Sequence, residues 1–282
     1  MNDLNLLSII NQRLTSDKLV LPSLPDVAIE VNKKIRECPD VEIKDIATLI
    51  RKDTAIAASV IRFSNSALVK GTVKVDSIEK ATVRIGLSRL KNVIMSFAIE
   101  QMFFAKDVSV AIKFSDVWRR ASDTAASCGA TLNYLQSKGK AKHLDPDVMF
   151  LTALVHNIGY LPILTELDNL SENLKGDGFT PEFINNLGLT KGVKLNKTIL
   201  EKWNFTDAII RAASEWHNTE YKTEDISYVD ILRLGLSRTN YIEDAFKSFA
   251  TNSSIEKEII ENNAWKKSKE FNLHLQNYKN IF

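Results

Sequence analysis

The spacing of apolar residues limits most sharply what this chain can fold into. They recur at intervals of three and four along most of the 282 residues, and no run alternates as a strand would. Glycine and proline, 10 and 6 in number, are too scarce to break that pattern often. The chain is therefore expected to be all-α. Its length suffices for one large core or two modest ones, and its 44% hydrophobic and 26% charged content is that of a soluble globular protein. A net charge of +2 predicts neither a strong polyanion binder nor an acidic tail. Cys38 and Cys128 have no Cys-x-x-Cys spacing, which argues against a zinc knuckle or a redox pair. No uninterrupted apolar run approaches about 18 residues, so no membrane-spanning helix is expected. Met1-Asn2-Asp3-Leu4 does not open a signal peptide. A cytoplasmic location fits these features.

Helix boundaries can be read from capping chemistry. Pro25 is suited to a first turn, with Val27, Val31 and Ile35 on one face after it. Ile43, Ile46, Ala47 and Ile50 mark a second helix, and Asp53 or Thr54 caps a third. Asn65 to Val75 reads as a loop. Asp76-x-x-Glu79 has the form of a capping box. Gly86 is placed to end that helix, and Ser88 to cap the next. A long helix is expected from about Val110 to Gln136. Asp145-Pro146 is a strong start signal for the next helix, which is expected to carry Leu151, Leu154, Val155 and Ile158 and, with them, His156 and Asn157. Residues 168–180 read as a polar loop, with helices resuming near Pro181, Lys194 and Thr206 and another from Ile226 to Leu236. The charged tail from Ser253 is expected to form one or two peripheral helices. Trp118, Trp203 and Trp216 are expected in the core, and Trp265 either locks the tail down or presents a contact patch.

Two sets of blocks then become recognisable. The first is Leu21-Pro22-Ser23-Leu24-Pro25, Asp53-Thr54-Ala55-Ile56-Ala57, Asn65-Ser66-Ala67, Ser77-Ile78 and Ile85-Gly86-Leu87-Ser88-Arg89-Leu90. The second is Leu154-Val155-His156-Asn157-Ile158-Gly159, Leu200-Glu201-Lys202-Trp203 and Trp216-His217. In this order they resemble the HDOD family, whose C-terminal half is related to HD-type metal-dependent phosphohydrolases. The resemblance covers roughly residues 19 to 235. It implies an all-α fold in two helical lobes, here 1–110 and 111–282, the second HD-like and carrying a C-terminal extension. It also implies a bacterial signalling role, often near flagellar (motility), second-messenger or stress circuits, generally without enzymatic activity.

Working HD enzymes hold divalent ions with several His and Asp ligands, because the ion must acidify a water and neutralise phosphate charge. This chain has only four histidines. The resemblance implies that an active relative would carry its first His at Arg120, an Asp at Asn157 and a further His near Val193. Arg repels an ion, Asn offers oxygen without charge, and Val offers nothing. No catalytic residue is therefore assigned and no cofactor is expected. The alternative is a weak divalent metal site at His156 and His217, with Glu215 as an added ligand, supporting a phosphohydrolase with a reduced ligand set. Against it stands the reading that both histidines are hydrogen-bonded packing residues. Arg119 and Arg120 form a candidate anion site, set against a solvated helix face. Asn65, Ser66, Arg84 and Arg89 form a candidate partner surface or a structural motif. Basic residues around Arg84 and Arg89 raise the alternative of a nucleic-acid-binding regulator, but no zinc finger or aromatic RNA signature accompanies them. The favoured reading is a regulatory module that acts on separate signalling proteins in trans.

Overall fold

Among the described residues every regular element is helical. The computed structural model describes Gln12 and residues 21–38, 40–69, 71–169 and 188–281. In chain order the α-helices are α1 (Asp26–Glu37), α2 (Ile43–Ile50), α3 (Thr54–Ser64), α4 (Ile78–Ile85), α5 (Leu87–Gln101), α6 (Val108–Ser137), α7 (Pro146–Val155) and α8 (Tyr160–Asn169). After a π-helical turn (Gly188–Gly192) come α9 (Val193–Lys202), α10 (Asp207–Glu215), α11 (Tyr228–Leu236) and α12 (Asp244–Glu256). A 3-10 turn (Asn263–Lys267) and α13 (Lys269–Lys279) close the chain. The expected polar loop and the helix start at Pro181 fall largely outside the described residues.

Several helices begin where a side chain supplies an acceptor for their free N–H groups. Asp53 accepts from the Ala55 and Ile56 amides at 3.0 and 2.9 Å and starts α3. Asp145 accepts from Asp147 and Val148 at 2.8 and 3.3 Å, with Pro146 in the first turn of α7. The expected box at Asp76 does not form. Ser77 caps α4 by accepting from the Lys80 amide at 3.3 Å. Asp76 instead pairs with Lys80, and Glu79 with Arg51. Both acids lie at the surface, where a nearby cation competes with the backbone for the carboxylate. Gly86 ends α4 with φ of +82°, as expected, but it also occupies the position before α5 in place of Ser88.

α6 is the spine of the molecule, and α7, α11 and α13 all lie along it. Helices α1 to α5 pack on one another, and α5 carries them onto α7. The buried side chains form one connected core running from Leu24 to Ile281. Arg89 on α5 reaches Asp147 on α7 at 2.9 Å, and also donates to the Leu68 carbonyl at 3.1 Å.

Two expectations are corrected. The tail is not peripheral: Phe271 and Tyr278 of α13 are buried against α6, and Trp265 is buried with them. Its polar residues simply lie on the outer side of a helix whose few aromatics do the docking. Nor are all three upstream tryptophans core, since only Trp216 is buried while Trp118 and Trp203 pack partly exposed at its edge. The segment Pro146–Asn169 is long and apolar enough by composition to cross a membrane, yet 78% of its apolar window is buried inside the protein.

Candidate functional site

His156-Asn157-Ile158-Gly159, expected to continue the helix, instead form the turn that joins α7 to α8, wired mainly to backbone. The His156 Nδ1 lies 2.6 Å from the Ala153 carbonyl, the arrangement of an N–H donor to that oxygen. Its ring is buried and meets Trp216 edge-on at 5.8 Å. Burial pushes its pKa down to about 4, against a small upward pull from that hydrogen bond. The neutral ring of the native state gains nothing from acid, whereas an unfolded His156 takes up a proton near its ordinary value. Stability is therefore expected to fall as pH drops from about 6.5 to 4, by roughly 3 kcal/mol in all. Urea midpoints across that window measure it, and His156→Gln should flatten most of the slope.

Asn196, fully buried on α9, clamps this turn. Its Oδ1 accepts from the Gly159 amide at 2.7 Å, and its Nδ2 donates to the carbonyls of His156 at 2.6 Å and Ala213 at 3.1 Å. One side chain thus ties α7, α9 and α10 together. Gly159 permits the approach: a Cβ there would lie 1.9 Å from the Gly192 carbonyl oxygen. Val193, where the resemblance placed a ligand, stands one turn before Asn196 and carries no donor.

His217 is exposed beyond the end of α10. Trp216 separates the two histidines, meeting His217 at 5.7 Å on its other side. The carbonyls at this helix end are gathered by Arg233 of α11, which is 3% exposed. It donates to Trp216 at 2.9 Å, Tyr221 at 3.0 Å and Glu215 at 3.2 Å, and to Asn218 as well. A planar fork can serve four acceptors where an ammonium cannot. Arg233→Lys is expected to lower stability by about 2 kcal/mol, readable as a shift in the denaturation midpoint.

A metal centre can be tested against these donors. Asn157 offers a buried oxygen with no hydrogen-bond partner, and His156 offers its remaining ring nitrogen. Among the described residues no three His, Cys, Asp or Glu side chains come together as a metal-binding group. Two neutral donors without a carboxylate do not fit a two-ion phosphoesterase centre.

Arg119 and Arg120 are engaged with their own neighbours. Both pair with Asp116, Arg120 at 2.7 Å, and both lie over the Tyr241 ring at 5.5 and 5.4 Å. Arg119 also donates to the Tyr241 hydroxyl at 2.7 Å. Burial raises the Asp116 pKa, but the two guanidiniums outweigh it and hold the carboxyl below its usual range. The Arg120 charge also reaches Tyr160, just after the His156 turn, where it partly offsets burial that pushes the phenol to about 12.

The N-terminal candidates hold the 65–75 loop. Asn65 exchanges two hydrogen bonds with the Val75 backbone, each 2.8 Å, and donates to the Ile61 carbonyl at 3.0 Å. Arg84 donates to the carbonyls of Ser64, at 3.4 Å, and Val73. The Ser66 hydroxyl is buried without a partner. These contacts are local, and the structure does not bring this group to the His156 turn. Arg89 differs, since its partner Asp147 opens the helix that ends at His156.

The sequence matches the HDOD domain over residues 21–219. The chain belongs to the HDOD domain family. Its fold is close to a Shewanella amazonensis SB2B protein named as a suspected metal-dependent phosphohydrolase, 28% identical, with 99% of each chain covered and a TM-score of 0.85. A suspected signal transduction protein of Marinobacter aquaeolei VT8 shares the fold at 19% identity and a TM-score of 0.60, over 99% of this chain and 64% of that one. A Treponema pallidum (strain Nichols) protein is 22% identical over 210 residues, 73% of this HDOD chain and 39% of its own length. The chain thus spans about two-fifths of that curated relative.

Asn196 and Arg233 escaped the sequence reading. Asn196 lies in a polar stretch, Lys194-Leu195-Asn196-Lys197, where nothing distinguishes it from a surface residue. Arg233 did leave a signal, a lone charge within the apolar run Ile231-Leu232-Arg233-Leu234, which demands buried acceptors.

Proposed function

We propose that this HDOD chain is a non-catalytic regulatory protein of the cytoplasm, acting by docking onto signalling proteins supplied in trans. It would do so as two helical lobes, residues 1–110 seated on an HD-like lobe of residues 111–282, with Arg89 and Asp147 at their junction. One observation carries the reading: the His156 turn is committed to backbone partners through Ala153 and Asn196, with Asn157 where charge would be needed. A phosphoester substrate would meet neither a fixed ion nor an activated water there. The signalling name borne by the Marinobacter aquaeolei relative agrees with this role. The metal-dependent hydrolase suggested by the name of the Shewanella amazonensis relative is the alternative, with a divalent ion at His156 and His217.

Metal content and phosphodiester turnover decide between them. Protein purified without an affinity metal and dialysed against manganese, iron or zinc is expected to retain no stoichiometric ion and to leave bis(p-nitrophenyl) phosphate at the background rate. A retained ion, with turnover abolished by His156→Ala in a folded variant, would establish the hydrolase instead.

A further inference from the structure

A groove of about 450 Å³ lies between the two sets of helices, away from the His156 turn. Its walls come from α1, α5 and the junction of α9 and α10. The floor is aliphatic, formed by Leu24, Met95, Leu151 and Ile209, each no more than 6% exposed. Ile29 on the rim is 47% exposed, a large apolar side chain left open to water. Trp203 and Phe205 form a tilted aromatic pair at 6.2 Å along the opposite wall. The Trp203 indole donates to the Pro22 carbonyl at 3.0 Å, which fixes the ring against the start of the first helix.

Among the described residues, the charged side chains that line this groove are all basic. They are Lys33, Arg36, Lys91 and Lys202, and no described carboxylate lines the groove with them. All four are exposed. Arg36 has a long 3.5 Å contact to Glu37, while Lys33, Lys91 and Lys202 make no ion pair. The chain as a whole is nearly neutral, so four cations lining one apolar trough, only Arg36 of them with an acid in contact, are a local feature. The cations stand on different helices at the rim rather than converging on a point, and the floor offers aliphatic contact rather than hydrogen-bond donors. That favours an extended occupant with an apolar stripe and acidic flanks over a compact phosphate.

We propose that this groove is a docking site for an acidic amphipathic helix of a partner protein, whose apolar side chains enter beside Trp203 while its Asp and Glu residues face Lys33, Arg36, Lys91 and Lys202. The proposal rests on the docking role proposed above and names where that docking occurs.

The test uses the full chain and a labelled peptide of roughly 15 residues with a Leu stripe and a Glu-rich outer face, against the same peptide with Lys for Glu. Fluorescence anisotropy is expected to show the acidic peptide binding at least about tenfold more tightly than the basic one. Lys91→Glu/Lys202→Glu should weaken it by about tenfold or more, and added salt should do the same. Peptide binding should also shift tryptophan emission, and the shift should vanish in Trp203→Phe. Equal affinity for both peptides, no binding of the acidic one, or indifference to the charge reversal would overturn the proposal. So would a dimer in sedimentation that the same charge reversal dissolves, because the occupant would then be a second copy. The docking role itself stands or falls separately, on metal content and on turnover dependent on His156.

Discussion

Asn196→Ala should be among the most damaging single substitutions in this protein, lowering stability by about 3–5 kcal/mol. The side chain is completely buried and makes three hydrogen bonds to backbone groups of two other segments. Its removal leaves the Gly159 amide and the carbonyls of His156 and Ala213 short of a partner in a region water does not reach, each at a cost of about 1–3 kcal/mol. Relaxation of the turn would recover part of that. Asn196→Asp separates the components. It retains the acceptor for Gly159 but sets a carboxylate against two carbonyls, so it should be no better tolerated than alanine. Asn196→Leu fills the space and satisfies nothing, and should also unfold early. Chemical denaturation of the three variants measures the effect. Stability within about 1 kcal/mol of the parent for Asn196→Ala would mean the clamp is not what holds the turn.

Phe271→Ala should cost a similar amount, about 3–5 kcal/mol, although it lies in the stretch that looks most dispensable in the sequence. The ring is fully buried, sits edge-on to Trp265 at 4.9 Å and carries the Arg238 guanidinium 5.0 Å from its centre. Its loss opens a cavity under α13 and removes one of two ring contacts that hold Trp265, the other being to Tyr134 at 6.0 Å. Hydrogen exchange should show protection falling first in α13 and then along the face of α6 that it covers. Phe271→Leu, which restores most of the volume, should recover more than half of the loss.

The two substitutions also mark where the sequence was readable. Local signals transferred well: Asp53 and Asp145 cap the helices they were expected to cap, because a helix start needs only a nearby acceptor. The long helix needed extension by only two residues at its N-terminus and one at its C-terminus. Ser77 displaced Asp76 because surface carboxylates have other partners available, a competition that spacing does not record. The candidate site was legible through its recognisable blocks at His156 and His217, but its wiring was not. Asn196 acts at a separation of about forty residues from the turn it holds, and no periodicity reports on that. The tail misled because a helix with a few aromatics on one side has the composition of a surface helix, and only its partner, α6, makes the difference.

The recognisable family segment stops at residue 219, just past the end of α10. The carbonyls there, of Glu215, Trp216 and Asn218, are held by Arg233, which lies outside that segment. Residues 21–219 alone are therefore not expected to unfold as one cooperative unit. A chain trimmed at the family boundary would lose its own final clasp, and would bare the strip of α6 that α11 and α13 cover. Such a fragment is expected to associate through that strip or to be degraded. The Shewanella amazonensis relative, which matches 99% of this chain, carries the fold past residue 219 as well, so burial rather than the bounds of the family match indicates how much chain this core needs.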